Sequence, residues 1–283
     1  MKLTFAPLTP QLLERPSREV RVRAQYDHAQ AAADYLRGTY GSRPEGRFQR
    51  SRLQLILKIL AGHPGGDLLD VGCGPGVMAL ALLTSRPGDF RITVLDQSLA
   101  MIKYCSASTC DSGQINPTVG QVEALPFAAM SFDLALVMGT LEYADARAAV
   151  RELSRVIRPG GVLIATMLNP LSPYRLAEWF LFWPFLRFLE AVERCVGVPA
   201  ERRHGARITG IRAFPAGMLR RLLMQVGLQP IDLVHFDVTP LLPPLDRLRL
   251  VARLVDRTGS ERTVTRGWRR WMGTGYLVVA RRM

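Results

Sequence analysis

The feature that most constrains this chain is a short apolar run that breaks into a glycine-rich turn. The run is Leu68–Val71 and the turn is Gly72–Gly76, with glycine at every second position. Alternate glycines weaken a strand and start a helix poorly, so they predict a tight turn where a ligand approaches bare backbone. Dinucleotide-binding folds begin in the same way, so the turn alone predicts a ligand site without identifying the ligand.

Apolar runs alternate with helix-like segments along most of the chain. Alternation of this kind predicts an α/β fold, a parallel sheet with helices on both faces and right-handed crossovers. The run at 132–138 is apolar almost throughout, as expected for a strand buried on both faces. The predicted strands are 67–71, 89–95, 115–119, 132–138, 162–167, 230–238 and 275–280.

An aspartate stands at the end of the second predicted strand. Asp96 follows the last glycine of the turn by 20 residues. An acidic side chain at this distance can meet the two hydroxyls of a ribose. The glycine turn and Asp96 together therefore predict a ligand with a nucleoside part.

The composition indicates a globular protein. The chain has 283 residues, of which 48% are hydrophobic, which is enough for a proper core. No run of about twenty apolar residues occurs, and the first residues lack the apolar stretch of a signal peptide, so a cytoplasmic location is expected. The cysteines Cys73, Cys105, Cys110 and Cys195 have neither metal-ligand nor disulfide spacing, so we expect reduced thiols and no metal site.

The positive charge lies on the two flanks of the chain. Residues 61–170 carry 7 basic and 10 acidic side chains, whereas the flanks together carry 30 and 14, a balance of +16. Only three of the basic residues are lysines. Because arginine offers a planar fork to phosphate and carboxylate, an anionic acceptor, a nucleic acid or a membrane surface is a possible partner.

Five sequence motifs follow one another along the centre of the chain. They are Leu69–Gly76, Leu95–Ser98, Ala124–Phe127, Ser131–Asp133 and Arg155–Gly161. In this order they resemble the class I S-adenosylmethionine-dependent methyltransferases, in particular the subgroup that methylates quinones and secondary metabolites. The resemblance is dense over 64–168 and looser over 218–238 and 274–280. It implies a Rossmann-like seven-stranded, mostly parallel sheet whose last strand is antiparallel.

The resemblance also implies where the methyl donor, S-adenosylmethionine, binds. The turn at Gly72, Cys73 and Gly74 lies against its methionine part, and Asp70 faces its ammonium. Met138, at the end of the fourth strand, lies where the family's backbone meets the same ammonium.

The adenosine half of the donor is assigned to the next two strands by the same resemblance. Asp96 accepts from the ribose hydroxyls, with Gln97 and Met101 beside the adenine. Gln121 stands where the family usually has an aspartate that accepts from the adenine amino group, and Val122 contributes its backbone. Because a glutamine carbonyl accepts without charge assistance, we expect weaker binding here.

The acceptor side is less defined. Tyr143 occupies a position often filled by histidine and is expected at the wall between donor and acceptor. An N-terminal helix should cover the open edge of the site, with Tyr26 as the first choice for acceptor contact. His28 is the favoured histidine if a base is needed, although no catalytic base is identified. Packing roles for both tyrosines remain open alternatives.

An aromatic stretch follows the fifth strand, within a predicted lid. It is core, or a roof over a hydrophobic acceptor formed by Trp179 and Trp183, or a patch that touches a membrane. An adjacent arginine cluster suits an acceptor with an anionic end, or is a solvated loop. The stretch comprises Trp179, Phe180, Phe182, Trp183, Phe185 and Phe188.

These observations predict a helical cap over 1–62 and a methyltransferase domain over 63–283, with lid insertions at about 169–213 and 240–272. The predicted function is methyl transfer from S-adenosylmethionine to an apolar or amphiphilic small molecule, in secondary-metabolite, quinone or lipid biosynthesis. Two alternatives remain. One is an RNA or DNA methyltransferase, although Met138–Thr140 lacks the Asn/Asp-Pro-Pro-aromatic turn of base amino methylation. The other is a protein that binds the donor without transferring its methyl group.

Overall fold

A seven-stranded sheet forms the centre of the computed structural model. The structure describes residues 26–28, 30–40, 44–109, 113–199, 202–203, 211–239, 242–243, 245 and 267–283. The strand order is β3-β2-β1-β4-β5-β7-β6. The strands are β1 (Gly66–Val71), β2 (Phe90–Asp96), β3 (Ile115–Val119), β4 (Phe132–Met138), β5 (Ile157–Leu168), β6 (Leu228–Val238) and β7 (Gly273–Arg282).

Helices precede the sheet in sequence and alternate with its strands. They are α1 (Ala31–Tyr40), α2 (Pro44–Leu60), α3 (Val77–Ser85), α4 (Leu99–Thr109), α5 (Ala146–Val156), α6 (Pro173–Ala177), a π-helical turn (Glu178–Phe182), α7 (Trp183–Cys195), α8 (Ala216–Gln225) and a 3₁₀ turn (Trp268–Met272). The α/β class and the mostly parallel seven-stranded sheet are therefore confirmed.

The centre of the sheet brings three strand ends to one level. Val71 of β1 pairs with Leu95 of β2 on one side and with Val137 of β4 on the other, all in parallel. Because the chain order reverses at β1, the loops after these strands diverge and leave a crevice between them. The fold thus places the glycine turn, Asp96 and Met138 at the same edge.

The last strand is antiparallel, as predicted. β7 pairs antiparallel with β5 and with β6, so it lies between them. All but its last two residues are buried, in keeping with this interior position. β6 therefore lies at one edge of the sheet, opposite β3.

β5 begins earlier than predicted. The sequence predicts a strand from 162, but the strand starts at Ile157, which pairs with Phe132. The register shifts between Phe132 and Leu134, and Gly160 has a φ of 81°. A bulge with a left-handed glycine lets the strand continue through the Pro-Gly-Gly segment, which explains the earlier start.

The helix before the sheet is part of the core. Ile56 and Leu60 of α2 are fully buried, and the Phe48 ring lies 5.1 Å from that of Phe236 on β6. The amphipathic spacing of this segment therefore serves to cover one face of the sheet. The predicted division of the chain near residue 62 remains a prediction.

The aromatic stretch lies mostly on the surface. Phe180 and Phe188 are 71% and 67% exposed, and Phe185 is also exposed. No residue of α7 is buried. The core interpretation is therefore wrong for these phenylalanines, while Trp179 and Trp183 are partly buried.

Parts of the predicted additions lie outside the described residues. These are 1–25, 29 and 41–43 of the predicted cap, 200–201 and 204–210 of the first predicted insertion, and 240–241, 244 and 246–266 of the second. Among the described helices, none has both the length and the apolar character needed to cross a bilayer.

Candidate functional site

A cleft opens at the edge where β1, β2 and β4 end. The cleft, together with its opening to solvent, spans about 1010 Å³, which leaves room for a small molecule. Ten of its lining residues were predicted to bind the donor or the acceptor. Two of these are glycines of the turn, and the other eight lie outside the turn. The ten residues are Tyr26, Gly72, Gly74, Asp96, Gln97, Met101, Gln121, Val122, Met138 and Tyr143.

The glycine turn is held against the end of β2. The Gly72 N–H donates to the Leu95 carbonyl at 2.7 Å, and Gly72 has a φ of 71°. A Cβ at this position would overlap the Thr140 side chain. At Gly74, by contrast, no heavy atom lies within 4 Å of where a Cβ would be. The turn therefore packs tightly on one side and presents bare backbone on the other.

Asp96 fixes the turn through its carboxylate. One oxygen accepts from the Gly74 N–H and the other from the Ser98 N–H, each at 2.9 Å. A carboxylate has about four acceptor positions, so it can still accept hydroxyl groups from the cleft. Burial raises the pKa of Asp96, and the bonds from backbone N–H groups oppose that rise.

Asp70 lies beneath the turn rather than on the cleft wall. Its side chain is fully buried, and neither carboxylate oxygen has a hydrogen-bond partner among the described residues. Burial raises the pKa of Asp70 to about 7, with a smaller rise from Asp96 and an opposing effect of Arg52. A buried carboxylate without a donor is costly, which is the condition that a bound cation relieves.

Cys73 points away from the main cleft. It lines a small adjoining cavity with Arg50 and Arg52, and its Sγ contacts the Gly74 carbonyl at 3.4 Å. A hydrogen bond with Cys105 and burial raise the pKa of the Cys73 thiol. Cys73 therefore contributes its backbone to the turn, and its side chain does not line the cleft.

Two tyrosines close one side of the cleft. The rings of Tyr26 and Tyr143 meet edge to face, with centroids 6.3 Å apart. The segment that carries Tyr26 is anchored because Ser98 Oγ donates to the Tyr26 carbonyl at 2.9 Å. Burial raises the pKa of both phenols, so neither is a base near neutral pH. They can donate hydrogen bonds or position a ligand.

The remaining acceptor candidates are placed elsewhere. His28 is exposed and is not among the residues that line the cleft. Trp179 and Trp183 line neither this cleft nor the cavity next to it. The structure therefore does not bring these three residues to the cleft.

Two residues of α2, Gln49 and Arg52, face the cleft and were not singled out from the sequence. Only 7% of Arg52 is exposed, and its guanidinium donates a hydrogen bond to the Gln49 side chain. Among the described residues no carboxylate lies within ion-pair distance of Arg52. Helical spacing placed Leu53, Ile56 and Leu57 on one face, but gave no sign that the arginine beside them was buried.

A second cavity adjoins the cleft. The cavity, together with its opening to solvent, spans about 820 Å³, and it shares four lining residues with the cleft, which stand at the junction between the two spaces. Its walls come from α2, from the loop after β4, from α6 with the turn that follows it, and from Asp237 of β6. The shared residues are Gln49, Arg52, Gly139 and Tyr143.

Comparison with known families identifies the central part of the chain. Residues 69–165 match the family model described as a methyltransferase domain. This range begins in β1 and ends in β5, and so includes the turn, Asp96 and Tyr143. The predicted resemblance to the S-adenosylmethionine-dependent methyltransferases is thereby confirmed over these residues.

Curated relatives share the same region. The ubiquinone/menaquinone biosynthesis C-methyltransferase of Geotalea daltonii is 33% identical over 119 residues, which are 41% of this chain and 51% of the relative. The malonyl-[acyl-carrier protein] O-methyltransferase of Salmonella typhimurium is 32% identical over 146 residues, 51% of this chain and 56% of the relative. The chain thus spans about half the length of the curated relatives it matches.

A solved structure shares the fold over nearly the whole chain. It is a SAM-dependent methyltransferase of Thermotoga maritima, with a TM-score of 0.59 and 16% identity. The alignment covers 93% of this chain and all of the other. At this identity the likeness establishes the architecture alone.

Proposed function

Because residues 69–165 are a methyltransferase domain, we propose that this protein transfers a methyl group from S-adenosylmethionine to a small-molecule acceptor. The proposal is supported by the cleft at the switch point of the sheet, which contains most of the residues expected to bind the donor. Relatives named as methyltransferases of a quinone pathway and of malonyl-[acyl-carrier protein] support a small-molecule acceptor.

The residues present fit the proposed donor. The Asp96 carboxylate has acceptor capacity left for two ribose hydroxyls, and Gln97, Met101 and Gln121 line the cleft beyond it for the adenine. Gly74 leaves space for the methionine part, and the unpartnered Asp70 supplies a negative charge beneath it. Arg52 would take the carboxylate of the methionine part, which gives this buried guanidinium its missing anion.

The chemistry asks the chain for position more than for proton transfer. S-adenosylmethionine supplies a methyl group that its sulfonium already activates. The residues of this chain hold an acceptor in line with that group and exclude water, which is worth several orders of magnitude in rate. Tyr26 and Tyr143 stand where the cleft closes and can donate hydrogen bonds to the acceptor, but their raised pKa values exclude proton abstraction near pH 7.

The proposed acceptor is an amphiphilic small molecule with an anionic end, of the kind made in secondary-metabolite, quinone or lipid biosynthesis. Its polar contacts come from the charged second cavity beyond Tyr143. The partly apolar cleft, lined by Val71, Leu95 and Met138, supports an apolar portion near the methyl group. Whether oxygen, nitrogen or carbon receives the methyl group is left to experiment.

One observation carries the proposal: within the matched domain, Asp96 binds the glycine turn from β2 and still faces the cleft. The test is calorimetric titration of the purified protein with S-adenosylhomocysteine, followed by an acceptor screen with radiolabelled S-adenosylmethionine. We expect binding of the product and label in a small molecule. Absence of binding would overturn the proposal, and binding without any transfer would favour a donor-binding protein.

A further inference from the structure

The second cavity is lined by six buried or largely buried charged side chains. Cavities of this size are usually mostly apolar, so this concentration of charge calls for an explanation. The three basic and three acidic members come from five separate elements or loops. They are Arg47, Arg52, Glu142, Arg175, Glu178 and Asp237.

The acidic members are already engaged within the protein. Asp237 accepts from Arg47 Nε at 2.6 Å and also from the Thr274 hydroxyl. Glu178 accepts from Arg175 Nη1 at 2.5 Å, and Glu142 accepts from the Leu168 N–H at 3.0 Å. Asp237 and Glu178 therefore have little need of a ligand.

Two of the arginines retain donors. Arg175 Nε is buried and has no hydrogen-bond partner among the described residues. Arg52 contacts no carboxylate there, although it is buried. Both guanidinium groups lie near the Phe48 ring, with their carbons 5.7 and 5.8 Å from its centroid. The cavity thus presents N–H donors of Arg175 and Arg52 beside one aromatic ring, while its three basic and three acidic side chains balance in formal charge.

The two arginines differ in position. Arg52 lines both the cleft and the second cavity, whereas Arg175 lines only the second cavity. If Arg52 takes the carboxylate of the methyl donor, the Arg175 donors remain for a different ligand. Arg175 then stands on the far side of the junction formed by Gly139 and Tyr143, where the second reactant must lie.

We propose that the second cavity is the acceptor site and that Arg175 binds an anionic group of the acceptor, a carboxylate or a phosphate. This inference rests on the proposed function, since it assigns the donor to the adjoining cleft. A guanidinium binds either anion with paired, charge-assisted hydrogen bonds. Tyr143, at the junction, separates that anionic group from the atom that receives the methyl group. The acceptor is therefore an anionic small molecule with its reactive atom away from the charge.

The test compares ligands of equal chain length. The full chain, saturated with S-adenosylhomocysteine, is titrated by calorimetry with octanoate, octyl phosphate and the neutral octanol. We expect at least one of the two anions to bind about tenfold to a hundredfold more tightly than octanol. The anion that binds distinguishes a carboxylate from a phosphate. Equal binding of all three would overturn the inference and leave the proposed function intact.

A variant assigns the preference to Arg175. Changing Arg175→Met alone would leave Glu178 buried without its partner, so Arg175→Met is combined with Glu178→Gln. We expect the double variant to lose the preference for the anion while its affinity for S-adenosylhomocysteine stays within about twofold of the original. The control is Arg194→Met, an exposed arginine on α7 paired with Glu190.

The outcomes separate the two proposals. Anion preference that survives in the double variant, or that disappears equally in Arg194→Met, would show general charge attraction and overturn the inference. Failure of the unaltered protein to bind S-adenosylhomocysteine would instead contradict the proposed function. Circular dichroism of the double variant establishes that it is folded, and Arg175→Lys, which keeps the charge but not the fork, should lose part of the preference.

Discussion

At the residue scale, the cleft depends on backbone shapes that side chains would disturb. Gly72 and Gly74 are two residues apart and both left-handed, yet one faces Thr140 and the other faces open space. The same substitution at the two positions should therefore have two different effects. A substitution at Gly72 tests the stability of the fold, and a substitution at Gly74 tests ligand binding.

We expect Gly74→Ala to fold with a loss of about 1–2 kcal/mol, the cost of a left-handed alanine, and to bind S-adenosylhomocysteine at least tenfold more weakly. Gly72→Ala should lose distinctly more stability, because its Cβ would also overlap Thr140. Urea unfolding and calorimetry measure the two effects. Equal losses of stability at both positions would contradict this account.

Asp96→Ala should remove measurable binding of S-adenosylhomocysteine, because the ribose acceptor is lost and the Gly74 N–H loses its partner. We expect the fold to persist with a loss of about 1–3 kcal/mol, the cost of unpaired backbone N–H groups. Asp96→Asn retains one oxygen and should bind more weakly than the original but better than alanine. Unchanged calorimetric affinity in the alanine variant would refute the ribose assignment.

Asp70 should give donor binding a pH dependence. With a pKa of about 7, it is mostly protonated below that pH, so an ammonium ligand should bind more tightly as pH rises through about 7. The unliganded protein has the opposite trend: since the folded pKa is raised, stability falls as pH rises from the unfolded pKa toward 7. Asp70→Asn should flatten both curves.

The prediction is checked by measuring the affinity for S-adenosylhomocysteine and the free energy of unfolding between about pH 5.5 and 8.5. Asp232→Asn, an exposed carboxylate on β6, should leave both curves unchanged. A wild-type affinity that does not vary with pH would show that Asp70 carries no part of the ammonium contact.

Local spacing predicted which residues line the cleft better than it predicted which residues line the second cavity. Asp96 and Gln121 follow strands by fixed intervals, so the order of strands fixes their place at one sheet edge. Arg52 and Arg175 lie on helices, where a charged residue normally indicates a solvated face. They become buried only because α2 and α6 pack beside distant strands, and no interval in the sequence reports that packing.

At the scale of elements, the segment from α6 through α7 divides into two parts. Tyr174, Arg175 and Glu178 face the second cavity. On the turns that follow, Phe180, Phe185 and Phe188 are exposed to solvent. The sequence predicts a lid insertion at this place after β5, and the role of a lid stays a prediction. It did not distinguish buried from exposed aromatics, because helical spacing defines a face without stating what covers it.

Replacing Phe180 and Phe188 with serine should change the free energy of unfolding by less than about 0.5 kcal/mol, since both side chains are mostly exposed. Leu153→Ala, in the buried face of α5, is the comparison and should cost about 2–5 kcal/mol. Urea denaturation measures both. A large loss in the phenylalanine variant would show that these rings are packed after all.

At the scale of the whole molecule, the ligand site joins segments that are distant in sequence. The cleft combines α2, the glycine turn and the loops after β2, β3 and β4. A ligand held by so many segments stabilises them together, because it binds only when all are in place. Its effect should therefore appear in global unfolding.

S-adenosylhomocysteine at 100 times its dissociation constant should raise the free energy of unfolding by about 2.7 kcal/mol. Thermal or urea denaturation in the presence of the ligand measures this shift. Asp96→Ala at the same ligand concentration should show almost none of it. A similar shift in that variant would indicate binding outside the cleft.

The strand order β5-β7-β6 affects how the sheet can fold during synthesis on the ribosome. β6 is synthesised before β7, yet its only sheet neighbour is β7, so it must wait for that strand before it can pair. Arg47 of α2 is held by Asp237 on β6, 190 residues later. The wall of the second cavity therefore closes only after β7 has been synthesised, and until then β6 is an unpaired strand that is prone to non-native pairing.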